Sequence, residues 1–310
     1  MKKPTVTIGI PAYNEEANIE YLLKTLLADS SRIVKLAEIV IVSDGSTDAT
    51  VTCARSVNDR RIRIIDRKQR RGLVATENEL LRNVHGDILV MLDADVVPVE
   101  SDFLDRITEP IRKNSSVGCV GADIIPLPPR NLFERVIANS HYLKRHLYRR
   151  ISHGNNVYLC HGRARAFSRS FYKKLHWPDD CPEDAFSYLT CIARGFKFKY
   201  TDAASIFFRS PVILFEHRLQ SSRFVAGIDR LKELFSPEFV KREYSIPWKL
   251  FVGTLLKYLF RNPFSTPAYL VITSYIRLTH RNTDIYKSRF EVASTSKQIV
   301  AFKGQKLSRV

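Results

Sequence analysis

The chain has 310 residues, 45% of them hydrophobic and 26% charged, with 12 glycines and 14 prolines, a composition that predicts a globular protein and excludes a disordered chain. Its five cysteines are scattered without a Cys-x-x-Cys pair, which argues against a disulfide framework and a zinc site and predicts reduced thiols in the cytoplasm. The formal net charge of +17 at pH 7 indicates a polyanionic partner, such as an anionic membrane surface, nucleic acid or a phosphate-rich substrate.

Segments typical of strands and of helices alternate along the first 120 residues. The predicted strands are 5–10, 38–42, 62–65, 88–92 and 117–120, and the predicted helices are 15–28, 46–57 and 75–84. Such alternation produces right-handed β-α-β units, so the expected fold class is α/β with a mostly parallel sheet. The first strand follows Met1-Lys2-Lys3-Pro4 directly, and we expect no signal peptide.

Polar residues stand where the predicted strands end. They are Pro11 to Tyr13, Asp44, Asp66, Arg67, Asp93 and Asp95. Because open parallel sheets bind ligands at the carboxyl ends of their strands, we expect these residues to line one site.

Asp93 and Asp95 directly follow the apolar run 88–92. Residues two apart on an extended chain point to the same side, so their carboxylates can share one ion. A hard divalent cation is typically held by one or two carboxylates together with substrate phosphates. Surface turns use the same residue types, so this motif predicts a metal site only together with the other strand ends.

Beyond residue 120 the regular alternation ends at a group of prolines. Helices are predicted at 131–150, 183–194 and 216–234, and a strand at 196–200. We expect one domain over residues 1–235, followed by a basic helical extension over residues 236–310. From Arg209 to the last residue, 18 Lys and Arg stand against 7 Asp and Glu, a net +11.

The extension contains two apolar segments, 247–260 and 266–276, and both are shorter than a membrane-spanning helix. Lys249 and Lys257 lie among Trp248, Phe251 and other apolar residues, which is typical of helices that lie in the membrane interface. The alternative is a helical pair packed on the domain.

Three motifs together resemble the signatures of family 2 glycosyltransferases. They are Ile-Pro-Ala-Tyr-Asn-Glu-Glu at 10–16, Val-Ser-Asp-Gly-Ser-Thr-Asp at 42–48 and Leu-Asp-Ala-Asp at 92–95. Gly72 and Asn78 also fit a Gly-Lys-x-x-x-x-Asn stretch of that family, although Leu73 replaces the lysine. The resemblance implies the GT-A fold, a Rossmann-like and mostly parallel sheet flanked by helices. Within it, residues 1–122 would form the nucleotide-sugar-binding half and residues 123–235 the acceptor-binding half.

Two later motifs are similar to those of the synthase-like branch of the family, which includes polysaccharide synthases and ceramide glucosyltransferases. Pro182-Glu183-Asp184 looks like the catalytic Glu-Asp pair of that branch. The run from Gln220 to Phe224 looks like its Gln-x-x-Arg-Trp motif, with phenylalanine in place of tryptophan.

The resemblance also implies roles for individual residues. Asp184 would be the general base and Glu183 would orient the acceptor or the metal. Asp95, Asp93 and His217 would contact Mg²⁺ or Mn²⁺. The residues implied in nucleotide-sugar binding are Pro11, Ala12, Tyr13, Glu15, Asp44, Asp66, Arg67, Arg71, Asn78, Asp93 and Ala94. Those implied in contacts with the acceptor or the diphosphate are His161, Gly162, Arg163, Gln220, Arg223 and Phe224.

Three functions remain open from the sequence. The first is an inverting, metal-dependent glycosyltransferase that moves a sugar, from UDP in the expected case, to a hydroxyl of a glycan or lipid-linked acceptor. It would act peripherally at the inner face of the membrane. The second is a polyprenyl-phosphate glycosyltransferase, against which the Gln220 motif speaks. The third is a non-enzymatic basic binding protein, and no nucleic-acid-binding pattern supports it.

Overall fold

The computed structural model describes residues 2–279. The strands in this part of the chain are β1 (Thr5–Ala12), β2 (Lys35–Asp44), β3 (Ile62–Arg67), β4 (Ile88–Leu92), β5 (Val96–Pro98), β6 (Val117–Pro126), β7 (Ala164–Ser168) and β8 (Lys197–Phe208). The helices are α1 (Ile19–Leu27), α2 (Thr50–Ser56), α3 (Leu73–Asn83), α4 (Phe103–Lys113), α5 (Leu132–Arg149), α6 (Arg169–Tyr172), α7 (Glu183–Ala193), α8 (Leu214–Leu234), α9 (Pro237–Glu243), α10 (Trp248–Arg261) and α11 (Ser265–Thr279).

The strands form one sheet in the order β3-β2-β1-β4-β7-β6-β8-β5. The first four strands of this order are parallel, and β6 and β8 are parallel to each other. β7 runs antiparallel between β4 and β6, and β5 is antiparallel to β8. Helices cover both faces, so strands such as β4 are buried along their whole length. The predicted α/β class with a mostly parallel, helix-flanked sheet is confirmed.

Two helices begin later than their apolar spacing predicts. α1 starts at Ile19 and not at residue 15, because the Glu15 carbonyl and carboxylate accept hydrogen bonds from Asn18 and fix a turn there. α2 starts at Thr50 and not at residue 46, because the Asp48 carboxylate accepts the Thr50 N–H at 3.0 Å. Both local side-chain bonds compete with the helix.

Two ion networks fix α5 over the carboxyl ends of β6 and β8. Glu134 and Arg209 form an ion pair of 2.8 Å, and both side chains are fully buried. One turn from the other end of α5, Arg145 pairs with the buried Asp123 of β6, whose carboxylate also accepts the Tyr200 hydroxyl at 2.7 Å. α5 is therefore a fixed wall of the region between the sheet and the C-terminal helices.

α10 and α11 pack on α5 through one side only. The Tyr258 hydroxyl donates to the Tyr142 carbonyl at 3.0 Å, and the Asn139 amide donates to the Ser265 hydroxyl at 2.9 Å. The opposite sides expose a set of large apolar residues: Trp248, Phe251, Leu256, Phe260, Phe264, Val271, Tyr275 and Leu278. This packing on α5 fits the helical pair weighed for the extension over residues 236–279, and contact with a membrane interface stays a prediction. Residues 280–310 of the expected extension lie outside the described residues. No helix within residues 2–279 has the length and apolar character needed to cross a bilayer.

Candidate active site

The loops after β1 and β2 are joined by hydrogen bonds. The Asn14 side chain accepts the Thr47 N–H at 2.8 Å, and the Ser46 hydroxyl accepts the Asn14 N–H at 3.1 Å. Asn14 adopts a positive φ of 53°, which asparagine tolerates better than most residues. Pro11 and Ala12 are buried at the end of β1, and the Tyr13 ring lies under the Arg70 guanidinium at 4.1 Å. The expected nucleotide-binding loops are therefore held against each other.

The Asp44 carboxylate organises the start of α3. It accepts the Arg71 and Gly72 N–H groups, both at 2.7 Å, and pairs with Arg67 at 3.1 Å. Gly45 follows with a φ of +68°, and a Cβ there would lie 2.6 Å from the Arg70 nitrogen. Only glycine combines that conformation with so close an approach.

Other expected donor-binding residues make internal contacts of the same kind. The Arg67 guanidinium, paired with Asp44, also bonds Glu79, the Thr76 hydroxyl and the Ala75 carbonyl. The Asn78 amide forms two hydrogen bonds with the Trp177 backbone, at 2.8 and 3.1 Å. Asp66 and the Arg71 side chain are exposed at the same edge, whereas Glu15 and Ala94 are buried.

Four carboxylates from two distant motifs meet at the end of β4. Burial is the largest cause that raises the pKa of Asp93, to about 6, followed by the charge of Asp95 and, more weakly, that of Asp184. Burial likewise raises the pKa of Glu183 well above its ordinary value, and the charge of Asp184 adds to this rise. The structure thus brings Asp93, Asp95, Glu183 and Asp184 together, as the sequence predicts.

The segment before β7 closes the gap between these two motifs. The Arg163 carbonyl accepts the Asp93 N–H at 3.0 Å. A Cβ on Gly162 would lie 3.0 Å from a carboxylate oxygen of Glu183 and 3.8 Å from Asp184. Gly162 therefore lets the N-terminus of α7 approach the end of β4.

A buried ion pair beneath this edge was missed from the sequence. Arg165, on β7, pairs with Glu77, on α3, at 2.6 Å, and both side chains are buried. The Arg165 guanidinium also donates to the Glu183 carbonyl and the Ser187 hydroxyl, both at 3.1 Å. The Trp177 indole N–H donates to the same two acceptors at 2.9 Å. Arg165 and Trp177 therefore hold the first turn of α7, which carries Glu183 and Asp184.

The pKa of Glu77 in this ion pair depends on the carboxylates at the end of β4. Burial raises the pKa of Glu77 to about 7; the Arg165 charge opposes this rise, and the charges of Asp93 and Asp184 add to it. An arginine in the middle of a short run of small residues is the one feature of the sequence that could have signalled a buried partner.

The α8 residues expected at the acceptor differ in their exposure. The Phe224 ring is exposed and lies 6.2 Å from the Tyr244 ring, whose pKa is raised by burial and then by the charge of Asp184. Gln220 and Arg223 are half-buried on the same helix. His217 is buried between the rings of Phe133 and Tyr269, at 6.2 and 6.5 Å.

The site chemistry suits a divalent cation bound together with a substrate. The charges of Asp95 and Asp184 add to the raised pKa of Asp93, and the charge of Asp184 adds to that of Glu183, so the group carries a surplus of negative charge that a cation would neutralise. Within residues 2–279, no three His, Cys, Asp or Glu side chains form a cage that could hold a metal alone. Mg²⁺ is usually bound by one or two carboxylates plus phosphates, so Asp93 and Asp95 fit it without such a cage. The contact expected from His217 stays a prediction.

Known proteins are similar to long stretches of this chain. The model of the glycosyl transferase family 2 matches residues 7–176, more than half of the chain. An N-acetylglucosaminyltransferase from Azorhizobium caulinodans is 26% identical over 144 residues, which are 45% of this chain and 36% of that protein. A dolichol-phosphate mannosyltransferase from Pyrococcus furiosus is 28% identical over 113 residues, which are 36% of this chain and 31% of that protein. The chain thus spans about a third of the length of these curated relatives.

A solved structure agrees over a longer stretch. A mannosyltransferase from Pyrobaculum calidifontis, in complex with GDP-Man and Mn²⁺, aligns with a TM-score of 0.60 over 89% of this chain and 81% of that chain. Its sequence identity of 21% shows a common fold. The motifs at the strand ends, the family match and the shared GT-A fold lead to one conclusion: this chain belongs to the family 2 glycosyltransferases.

Proposed function

We propose that the chain transfers a sugar from a nucleotide-sugar, UDP-linked in the expected case, to a hydroxyl of a glycan or lipid-linked acceptor, with inversion and with a divalent cation. The observation that carries the proposal is the meeting of Asp93 and Asp95 with Glu183 and Asp184 at the end of β4. The carboxylates that would hold the cation, Asp93 and Asp95, would then lie beside the carboxylate that would accept the proton, Asp184.

The donor would lie along the ends of β1, β2 and β4. Tyr13 and the loop organised by Asp44 would receive the base and the ribose, and Asp93 and Asp95 would hold the cation beside the diphosphate. A cation there supplies Lewis-acid stabilisation of the leaving diphosphate, worth several kcal/mol. Arg163 lies close enough to lower the pKa of Asp93 and would meet part of the phosphate charge.

Asp184 would accept the proton of the acceptor hydroxyl as that oxygen attacks the anomeric carbon. It lies in the first turn of α7, where its carboxylate accepts the Ala185 N–H at 2.6 Å. Glu183 would orient the acceptor, and the Arg165 and Trp177 bonds to its carbonyl keep both side chains in place.

Donor and cation binding should depend on each other. With Mn²⁺ or Mg²⁺ we expect one member of a panel of UDP- and GDP-sugars to raise the melting temperature, and we expect EDTA to remove that shift, because a ligand of the native state stabilises it. Asp95→Asn should weaken the metal-dependent affinity at least about tenfold, or ~1.4 kcal/mol. Asp229→Asn, on the exposed part of α8, is the control. A full shift in EDTA would contradict the proposal.

The same proposal includes peripheral attachment to an anionic membrane surface. Phe260, Phe264 and Leu278 are each more than 85% exposed, and Lys249, Lys257, Arg261 and Arg277 lie on the same two helices. Large exposed apolar patches on soluble domains usually mark an interaction site, and flanking cations favour anionic lipid.

Vesicle sedimentation tests this attachment. We expect the full chain to sediment with phosphatidylglycerol vesicles and much less with phosphatidylcholine vesicles. The double variant Phe260→Glu, Phe264→Glu should abolish sedimentation. Phe239→Glu would be a poor control, because that ring packs in the domain. Leu132→Glu, at an exposed site on α5, is the matched control. If the double variant sediments with the vesicles to the same extent as Leu132→Glu, this surface does not bind the membrane.

A polyprenyl-phosphate acceptor remains the second candidate. It is favoured by the similarity to a dolichol-phosphate mannosyltransferase. The two candidates differ in their need for Asp184, because a phosphate oxygen is already ionised.

A further inference from the structure

Five basic side chains gather beside the carboxylates, between α5, the start of β7 and the carboxyl end of β8. His141 and Lys144 lie one turn apart on α5, His161 and Arg163 precede β7, and His217 lies on α8. The sequence analysis expects His161 and Arg163 at the acceptor or diphosphate and His217 at the metal, and His141 and Lys144 emerge only from the structure.

Two aromatic rings connect this basic cluster. The Phe208 ring lies 4.6 Å from the Arg163 guanidinium and 4.9 Å from the His141 ring. The Tyr269 ring lies 5.1 Å from the Lys144 ammonium and 6.5 Å from the His217 ring. The cluster therefore spans from the edge of the active site to the space beneath α8 and α11.

The two cations of the cluster are Lys144 and Arg163. Among residues 2–279, Lys144 and Arg163 form no ion pair, whereas the nearby Arg145, Arg165 and Arg209 each pair with a carboxylate. Burial lowers the pKa of His161 to about 3 and that of His217 to about 4, and the charge of Lys144 lowers both further. The Arg163 charge is partly met by Asp93, whereas Lys144 is a half-buried cation without an ion pair, which is unfavourable until an anion binds.

The geometry suits a phosphate-type anion. An arginine fork and a lysine ammonium are the usual partners of phosphate oxygens. Each neutral imidazole adds one N–H donor. An anion bound beside the ring would favour its doubly protonated form.

The position of the cluster separates it from the donor. Asp44 and Tyr13 follow β2 and β1, on one side of β4, and Phe208 ends β8 on the other side. Three strand spacings divide β4 from β8, or roughly 14 Å at about 4.8 Å each. A donor that extends from the ends of β1 and β2 to its cation at β4 would not reach Lys144 and His217. These two residues are therefore available to another molecule.

We propose that the acceptor carries a phosphate-type anion, which binds between Lys144, Arg163, His141 and His217 while the acceptor's nucleophile faces Asp184. This assignment rests on the proposed function, since it names the chemistry of the acceptor for that reaction. It holds for an acceptor in which the phosphate accompanies a hydroxyl and for one in which the phosphate itself is the nucleophile.

Calorimetric titration with inorganic phosphate tests the site on the full chain. We expect the wild type to bind phosphate and Lys144→Met to bind it at least tenfold more weakly. Lys241→Met, which removes an exposed lysine of α9, is the matched control and should bind phosphate as the wild type does. In a second measurement, proton NMR of the histidine rings, phosphate should raise the titration midpoints of the cluster in the wild type but not in Lys144→Met. Absence of phosphate binding to the wild type, or equal binding by Lys144→Met, would overturn the proposal.

Repeating the titration with saturating UDP or GDP and Mn²⁺ separates the two possible sources of the anion. Phosphate that still binds beside the nucleotide supports an acceptor site. Competition between phosphate and the nucleotide assigns the anion to the donor diphosphate and overturns the proposal. If phosphate binds but no nucleotide or nucleotide-sugar does, the result counts against the proposed function and for the anion site, so the two failures are distinguishable.

Discussion

Replacing Asp184 by asparagine is expected to reduce sugar transfer to a hydroxyl acceptor by roughly 10²–10⁴-fold, the usual contribution of a general base. Asparagine keeps the size of the side chain and its cap of the Ala185 N–H, which Asp184 now makes at 2.6 Å. The loss should therefore appear in kcat, with donor affinity retained. Donor affinity is measured by thermal shift and transfer by product formation.

A neighbouring carboxylate supplies the control for this prediction. Asp179 lies five residues earlier with an exposed side chain, so Asp179→Asn should transfer at the wild-type rate. If Asp184→Asn also transfers at that rate, the acceptor does not need a base. That outcome would favour the polyprenyl-phosphate reading over the hydroxyl one.

Arg165→Met is expected to lower the free energy of unfolding by about 3–5 kcal/mol, because it leaves the carboxylate of Glu77 buried without its partner. It also removes the hydrogen bonds to the Glu183 carbonyl and Ser187, so the first turn of α7 loses part of its support. Urea unfolding followed by circular dichroism measures the stability, and the same samples report transfer.

A double variant that removes both charges distinguishes the cost of an unpaired carboxylate from the loss of the hydrogen bonds made by Arg165. Glu77→Met combined with Arg165→Met should recover much of the lost stability, because apolar residues of similar volume often replace a buried ion pair without cost. It should not recover the full rate of transfer, since the support for Glu183 stays absent. Asp202→Asn, which breaks the exposed pair with Arg149, should cost less than about 1 kcal/mol and is the reference. A single Arg165→Met as stable as this reference would refute the role of the pair.

The donor half of the fold could be predicted because its strands read as uninterrupted apolar runs. β4 was predicted with its bounds at 88–92, and the loops that follow β1 and β2 are joined by hydrogen bonds. Local pattern was sufficient for β4, since this strand is buried on both faces and its loop follows it directly.

β7 shows where local pattern fails. It contains Arg165 in the middle of a fully buried strand, and the residue that balances this charge is Glu77, 88 positions earlier in the chain. No window of sequence contains both partners, so the strand was not predicted. α4 was missed for a related reason, because Pro110 interrupts its pattern although the helix continues to Lys113.

The same limit applies to the site residues. Arg67 was expected at a phosphate, yet its guanidinium is engaged by Asp44, Glu79, Thr76 and Ala75, and only the coordinates reveal these partners. Lys144 was not singled out at all, because on the sequence it is one of many basic residues of a long helix. What distinguishes it is the lack of an ion pair among residues 2–279.

On the proposed function, the reversed direction of β7 would give the donor and the acceptor separate stretches of chain. Because β7 enters the sheet at the reactive edge, the segment that approaches α7 comes before the strand, at residues 160–163, and belongs to neither β-α-β unit of the donor half. Grafting this segment together with α5 from one relative onto another would exchange acceptor choice while the loops for the nucleotide stay untouched. The fold thereby offers evolution, and protein engineers, a modular route to new glycosidic products.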